Sequence, residues 1–356
     1  MPKIVLDLND RRPAWAPPDW VSSEIRQVLP DHWDLQVMAT EADGSGDGAP
    51  SLSPDLLEAV RSAEVYLGYG VPAALLRAAP ELRWVHSGAA GVGSSLSEEM
   101  KSSPVLFTNS KGIHGPPMGD TALAMILHFS RGLDFGIANK TRRVWNTDPY
   151  YAGDHPLTEL AQITVGVFGF GGIGREVAKR ARALGSEVMA YDRDPSAFGE
   201  KGRVTLGPDL DLEDPGLRLL HGEPGFRRLL SQADFLVLTA PETPETKGII
   251  NAEAMALMKP SAVLINISRG SLVVEPDLVE ALKNGRLRGA GLDVFQKEPL
   301  PQEHPFWDLP NVLMTPHVSA VTRGFWRRQT DLIVENLRRY LAGDTLLNLV
   351  DREAGF

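Results

Sequence analysis

Three polar side chains in the second half of the chain stand just beyond apolar runs of the kind that form buried strands. Arg269 ends Leu264-Ile-Asn-Ile-Ser-Arg269, Glu298 follows the run that closes on Leu292-Asp293, and His317 follows Met314-Thr-Pro316. An imidazole beside a carboxylate can move a proton near neutral pH, and a guanidinium offers a fixed planar fork to an anion. If the three runs are parallel strands of one sheet, their C-terminal ends share an edge and the three groups converge there. Taken singly, each also fits a surface cation, a solvated loop acid, or a capping or core histidine. His86, His114, His155 and the remaining histidines read as structural or surface residues, and with no triplet at ligand spacing no metal is expected.

A second signal precedes these residues. Thr164-Val-Gly-Val-Phe168 reads as a strand that runs directly into Gly169-Phe-Gly171-Gly172-Ile173-Gly174, after which Arg175–Leu184 has a helical pattern. Gly169 suits the tight turn, Gly171 the close approach of a diphosphate, and Gly174 the packing of helix on strand. The phosphates would sit at the helix N-terminus, where unpaired N–H groups and the dipole favour negative charge. A lone triplet of this form also fits a plain turn. Here the next strand, Glu187–Tyr191, ends at Asp192, 18 residues past Gly174, where an acid can accept hydrogen bonds from a ribose 2′-hydroxyl. The expectation is a bound dinucleotide, NAD in preference to NADP because Asp192 repels a 2′-phosphate; Arg193 beside it keeps NADP open as the alternative.

The elements that must position these groups alternate along the chain. Ile4–Leu8, Leu35–Ala39, Val65–Leu67, Trp84–His86 and Val105–Thr108 read as strands, separated by amphipathic stretches at 21–29, 54–62 and 73–79. A further strand series begins at Ile163 and continues at Val188–Tyr191, Phe235–Thr239, Ala262–Ile267, Gly289–Asp293 and Val312–Thr315. The fold class is therefore α/β, with two Rossmann-like or flavodoxin-like parallel-sheet domains and an active-site cleft between them. Met118 to about Lys140 reads as a connector helix, apolar on nearly every side in its first half and so covered all round, between two domains or two subunits. A last amphipathic helix at 325–341 returns to the first domain. That gives a discontinuous first domain, 1–117 plus 323–356, and a second domain, 118–322, that carries the dinucleotide signal. Residues 43–50 read as a surface loop, and the long Gly-, Pro- and acid-rich stretch from Arg193 to Gly225 as surface decoration in preference to a cover over the adenosine end.

Composition narrows the partners. The 356 residues fit two domains, 43% hydrophobic and 23% charged content fits globular material, and the net charge of −10 argues against nucleic acid or an anionic membrane as partner. The absence of cysteine excludes disulfides, thiolate metal sites and a cysteine nucleophile. The first ten residues lack a signal-peptide core and no apolar run approaches the ~20 residues a transmembrane helix needs, so a cytoplasmic location is expected.

The ordered motifs resemble the D-isomer specific 2-hydroxyacid dehydrogenase family. They comprise the glycine fingerprint with Asp192, Leu238-Thr-Ala-Pro241-Glu-Thr-Pro-Glu-Thr246, Gly248-Ile-Ile-Asn251, Met258-Lys-Pro260, Asn266-Ile-Ser-Arg269-Gly270, Gly291-Leu-Asp293-Val-Phe, Glu298-Pro299 and Pro316-His317. The resemblance implies that His317 is the general acid and base at the carbonyl oxygen. Glu298 would orient its imidazole and favour the charged form, and Arg269 would bind the substrate carboxylate and polarise the carbonyl. Asp293 would hold the nicotinamide carboxamide, with a plain strand-end acid as the alternative. Ala240, Pro241, Ile267 and Ser268 would line the nucleotide path, with Ser319 counted among the cofactor contacts. Val85-His-Ser87-Gly88-Ala89-Ala90-Gly91 matches the family's substrate loop, where N–H groups of 88 to 91 would form a nest for the carboxylate or, alternatively, a flexible turn. The partners implied are a small 2-oxo or 2-hydroxy acid and a second copy of the chain, with the connector helix at the contact; a non-catalytic NAD(H)-sensing scaffold is the other function of this fold. Gly119-Asp120 departs from the Ala-Glu that relatives commonly carry there.

Overall fold

The computed structural model describes residues 1–39, 52–152, 157–194 and 210–353. The expected loop at 43–50 and His155 lie outside them. Two compact units result, one from Met1–His114 with Val321–Phe356, the other from the chain between Gly115 and Ala320. Both are α/β, with strands that run parallel throughout.

In the first unit, β1 (Lys3–Asp7), β2 (Asp34–Val37), β3 (Val65–Gly68), β4 (Trp84–Ser87) and β5 (Leu106–Asn109) form one sheet in the order β2-β1-β3-β4-β5. Both faces are covered, so β3 and β4 are buried along their whole length and read as apolar runs rather than alternating ones. Ile4 and Leu6 pack with Val21 and Ile25 of α1 (Asp19–Val28) and with Phe325, Leu332, Ile333 and Leu337 of α12 (Phe325–Ala342). Val5 points the other way, to Leu56 and Val60 of α2 (Pro54–Val60) and Leu75 of α3 (Ala73–Ala78). Each helix has a local reason to start or stop. Ser53 accepts the Leu56 N–H at 3.1 Å with Pro54 in the first position of α2, α4 (Glu98–Ser102) is capped by Ser97, and α12 ends on left-handed Gly343, φ 77°.

His86 of β4 is completely buried, with Nδ1 2.9 Å from Thr108 Oγ1 and Nε2 near Ser110 Oγ (3.1 Å) and Gln329 Nε2 (3.2 Å). Burial pushes its pKa down to about 3. The unfolded chain therefore takes up a proton below about pH 6.5 that the folded unit refuses, and stability falls as pH drops from there toward 3. Removing the imidazole removes that penalty. In urea unfolding, the deficit of His86→Asn relative to the wild type at pH 7 is expected to shrink by about 2 kcal/mol at pH 5. A deficit constant with pH would refute this reading of His86.

The second unit begins with α5 (Gly115–Ser130), α6 (Leu133–Arg142) and α7 (Asp148–Tyr151). Then β6 (Thr164–Phe168), α8 (Gly172–Ala183), β7 (Glu187–Tyr191), β8 (Leu217–Leu220), α9 (Gly222–Gln232), β9 (Phe235–Leu238), α10 (Ala252–Leu257), β10 (Val263–Asn266), α11 (Glu275–Lys283), β11 (Gly289–Leu292) and β12 (Val312–Met314) alternate. The sheet order is β12-β11-β10-β9-β6-β7-β8. It reverses between β6 and β9, the place where doubly wound sheets open a crevice at their carboxyl ends.

Two sequence readings need correction here. The single connector helix is two, because Gly132 at φ 65° ends α5 and starts α6. Its apolar first half packs inside the second unit: Met118, Ala122, Met125, Ile126 and Phe129 share a core with Val165, Val177 and Val263. Gly289 and Gly291 of β11 make room for it, since side-chain carbons there would lie 2.7 Å from the Phe129 ring and 2.9 Å from the Met125 sulfur. The Arg193–Gly225 stretch, of which 195–209 lie outside the described residues, also contributes the edge strand β8, anchored where Arg182 Nε donates to Asp214 at 3.0 Å. Among the described residues no helix is long and apolar enough to cross a membrane.

Candidate active site

The glycine loop lies at the switch between β6 and β9. Gly169 has φ 98°, and a side-chain carbon there would come 2.5 Å from the backbone of Ala240, so only glycine lets the β6 turn lie against the end of β9. A side chain on Gly174 would run into the Gly169 carbonyl oxygen, which already accepts the Thr239 hydroxyl at 2.6 Å. Gly171 differs. As N-cap of α8 it has no side-chain cap, and a side-chain carbon would meet nothing within 4 Å. Gly171, Gly172 and Ile173 thus leave an open, N–H-rich cradle at a helix N-terminus, a donor set that suits the diphosphate of a dinucleotide. At the end of β7, Asp192 accepts the Phe170 N–H at 3.0 Å, which holds the acid beside the loop. Arg193 next to it is paired with Glu245 at 3.4 Å.

The far half of the sheet brings Arg269, Glu298 and His317 past the ends of three neighbouring strands, β10, β11 and β12. His317 Nδ1 lies 2.7 Å from Glu298 Oε2, while Glu298 Oε1 accepts the Phe295 N–H at 2.9 Å. A carboxylate accepts, so Nδ1 donates and Nε2 is the atom left to face a substrate. His317 is a non-glycine residue in the left-handed region, φ 55°, and its side chain is 48% exposed. Asp293 holds that conformation: its carbonyl accepts the His317 N–H at 2.8 Å, Oδ1 accepts Thr315 Oγ1 (2.6 Å) and the Val318 N–H (2.9 Å), and Oδ2 accepts the Ser319 N–H (2.9 Å). Asp293 is fully buried and Ser319 nearly so, which places both beneath the histidine loop.

Arg269 sits at the start of a turn that Asn266 ties off, through Nδ2 to the Arg269 carbonyl (2.9 Å) and Oδ1 from the Ser268 N–H (3.1 Å). Arg269 Nη1 donates to the Ser268 carbonyl at 2.8 Å, and the Ser268 hydroxyl donates to the Ala240 carbonyl. Ile267 is buried in the core, so only its backbone can face the loop edge, whereas Pro241 is exposed there. Sequence reasoning missed Gly270. A side chain on it would collide with the Phe295 carbonyl, so its absence lets the Arg269 turn lie against the turn that carries Glu298. Also missed was Thr239, which tethers the glycine loop.

The loop Gly88–Gly91 belongs to the first unit, at the carboxyl end of β4. There the Gly88 N–H is donated to the Gly68 carbonyl (2.9 Å) and that of Ala89 to Ser87 Oγ (3.2 Å). Asn109 Nδ2 holds the Ala90 carbonyl at 2.9 Å. The expected nest therefore narrows to the N–H groups of Ala90 and Gly91, which meet no protein acceptor among the described residues. Gly119-Asp120 lies on the α5–α8 contact, where Asp120 accepts Arg180 Nε at 2.6 Å. Among the described residues no cluster could hold a metal ion.

Comparison with known proteins points to a family. Residues 123–319 match the profile of the D-isomer specific 2-hydroxyacid dehydrogenase, NAD binding domain. Glyoxylate/hydroxypyruvate reductase A of Photorhabdus laumondii is 34% identical over 275 residues, 75% of this chain and 79% of that one. The chain is 30% identical to a D-3-phosphoglycerate dehydrogenase of Methanocaldococcus jannaschii over 83% of its own length, but spans only 53% of that longer protein. A D-isomer specific 2-hydroxyacid dehydrogenase from Xanthobacter autotrophicus Py2, solved with NADPH and MES, superposes with a TM-score of 0.75 at 28% identity, covering 100% of this chain and 99% of that one. With the glycine cradle, the strand-end triad and these likenesses together, the chain belongs to the D-isomer specific 2-hydroxyacid dehydrogenases, a family of NAD(P)-binding oxidoreductases that act on 2-hydroxy acids.

Proposed function

We propose that this protein interconverts a small 2-oxo acid and its D-2-hydroxy acid with NAD(H), and that Arg269, Glu298 and His317 carry the chemistry. The observation that bears most weight is the Glu298–His317 pair, whose geometry leaves Nε2 as the working atom. When bound, NADH supplies the hydride that reaches the substrate's carbonyl carbon. His317 delivers its proton to the carbonyl oxygen, and takes it back in the other direction. Glu298 keeps the ring oriented and balances its charge. Arg269 binds the substrate carboxylate and stabilises charge on the carbonyl oxygen.

Residues 1–117 with 323–356 are assigned to the substrate domain and 118–322 to the nucleotide domain, a division supported by the match over 123–319. Ala90 and Gly91 offer N–H groups for an anion in the first of these. For the cofactor, Gly169, Gly171, Gly172, Ile173 and Gly174 take the diphosphate and Asp192 the ribose. NAD is favoured because the cation that would welcome a 2′-phosphate, Arg193, is already paired with Glu245. The NADPH bound by the Xanthobacter relative is the argument on the other side. The cytoplasm, where reduced nicotinamide is kept, is the expected location.

A panel of glyoxylate, hydroxypyruvate, pyruvate and phenylpyruvate tests the reading. NADH oxidation is expected with at least one of them, at a higher kcat/KM than with NADPH. No turnover above that of His317→Ala would leave the NAD(H)-sensing scaffold as the function, and a clear preference for NADPH would overturn the cofactor assignment.

We also infer a homodimer. The support comes from α6 and α7: no residue of α6 is buried, and Leu133 (53%), Ile137 (55%), Trp145 (95%) and Tyr151 (83%) are exposed together in one short stretch. Apolar exposure of that density is what a second copy would cover. Sedimentation is expected to give twice the 38.8 kDa chain mass, with Trp145→Asp shifted toward the single chain. A wild-type particle of 38.8 kDa defeats the proposal.

A further inference from the structure

Behind the Glu298–His317 pair stands a second carboxylate and imidazole. Glu275, the first residue of α11, is 9% exposed, and its Oε1 accepts the Gln296 N–H at 2.7 Å. Its Oε2 lies 3.4 Å from His304 Nε2, while His304 Nδ1 accepts the Phe306 N–H at 3.3 Å, which leaves the ring proton on Nε2 to be donated to Glu275. The two acids thus grip adjacent amides of one turn. Phe295 gives its N–H to Glu298 and Gln296 gives its N–H to Glu275. Gln296 is fixed once more, through Nε2 to the Val273 carbonyl at 2.6 Å, and the Phe295 carbonyl is backed by Gly270.

We propose that Glu275, held by His304, is a positioning residue: by fixing the Phe295–Gln296 backbone it sets where the Glu298 carboxylate can lie, and through it the orientation of the His317 imidazole. This rests on the reading that Glu298 and His317 carry the proton. Its two oxygens go to the Gln296 amide and to His304, so it acts on the chemistry through the turn. An exposed acid at the start of a helix would serve the dipole alone. Glu275 is instead buried with both oxygens engaged, and one of its two partners is a main-chain amide of the catalytic turn.

Two conservative variants of the full chain separate positioning from helix stabilisation. Glu275→Gln keeps the length and an acceptor for the Gln296 N–H but loses the charge. Glu275→Asp keeps the charge at the head of α11 but withdraws the oxygen from the amide. Positioning predicts that Glu275→Asp loses about tenfold in kcat, with KM for the oxo acid and Kd for NADH within about twofold of wild type, while Glu275→Gln stays within about threefold in kcat. In the protein without substrate, the His317 Nδ1–H proton resonance is expected to persist in wild type and Glu275→Gln and to broaden in Glu275→Asp. The opposite ranking, with Glu275→Asp intact and Glu275→Gln impaired, would overturn the proposal in favour of a purely electrostatic role. So would equal retention of activity in both variants, or a loss of kcat matched by equal losses in substrate and NADH binding. If the wild type turns over no oxo acid, the enzymatic reading fails on its own, and the imidazole resonance still decides whether Glu275 sets the ring.

Discussion

His317→Ala is expected to lower kcat by a factor of about 10² or more while NADH still binds, because removal of a general acid costs rate rather than cofactor affinity. The geometry allows the loss to be read cleanly. The main chain at 317 is held by the Asp293 carbonyl and the flanking residues by the Asp293 carboxylate, so deleting the ring leaves the loop tethered. The φ of 55° adds a complication, since alanine is less at ease in the left-handed region than histidine. Asparagine tolerates that region better and carries no titratable ring, so His317→Asn should show the same loss with less disturbance of the backbone. Steady-state rates with the best oxo acid of the panel, together with NADH titration by protein fluorescence, make the check. Retention of kcat within tenfold in both variants would remove His317 from the reaction.

Arg269→Lys is expected to raise KM for the oxo acid and lower kcat together, cutting kcat/KM by about 10- to 100-fold. A guanidinium can hold a carboxylate at two points from one rigid plane; an ammonium offers a single point charge on a flexible stem. Asn266 bonds to the main chain of 268 and 269 and so ties off the turn beneath Arg269, to which the Arg269 side chain adds its own bond to the Ser268 carbonyl. An unchanged unfolding midpoint in Arg269→Lys assigns the kinetic loss to recognition. Unchanged kinetics would exclude Arg269 from the substrate.

The parts of this site that sequence reveals are those whose chemistry is local. Gly169 and Gly174 declare themselves by spacing, because a turn and a packing contact each exclude a side chain within one loop, while Gly171 stands in open space and joins them through the proposed diphosphate. Arg269, Glu298 and His317 are legible at one remove: each follows an apolar run, and parallel strands put such positions on one edge. Gly270 and Glu275 are not legible in that way. What defines Gly270 is the Phe295 carbonyl, and what defines Glu275 is the Gln296 amide, both supplied by a segment that only the β10–β11 pairing brings alongside. The same limit applies to the Gly88–Gly91 loop, whose Gly88 N–H is taken by the carbonyl of Gly68 on neighbouring β3. It also explains β8, where a Gly-, Pro- and acid-rich context hides a strand that forms only as an edge against β7.

The placement of α12 has a consequence for how the protein is made. Phe325, Trp326, Leu332, Ile333 and Leu337 are structural members of the core that β1 and α1 begin, yet the ribosome delivers them after every residue of the second unit. Until then Ile4, Leu6, Val21 and Ile25 face water on the side that α12 will cover. Vectorial synthesis usually completes the N-terminal domain first. Here the order is inverted, and the nascent first unit must wait, with apolar surface open to chaperones, for a helix encoded more than two hundred residues downstream.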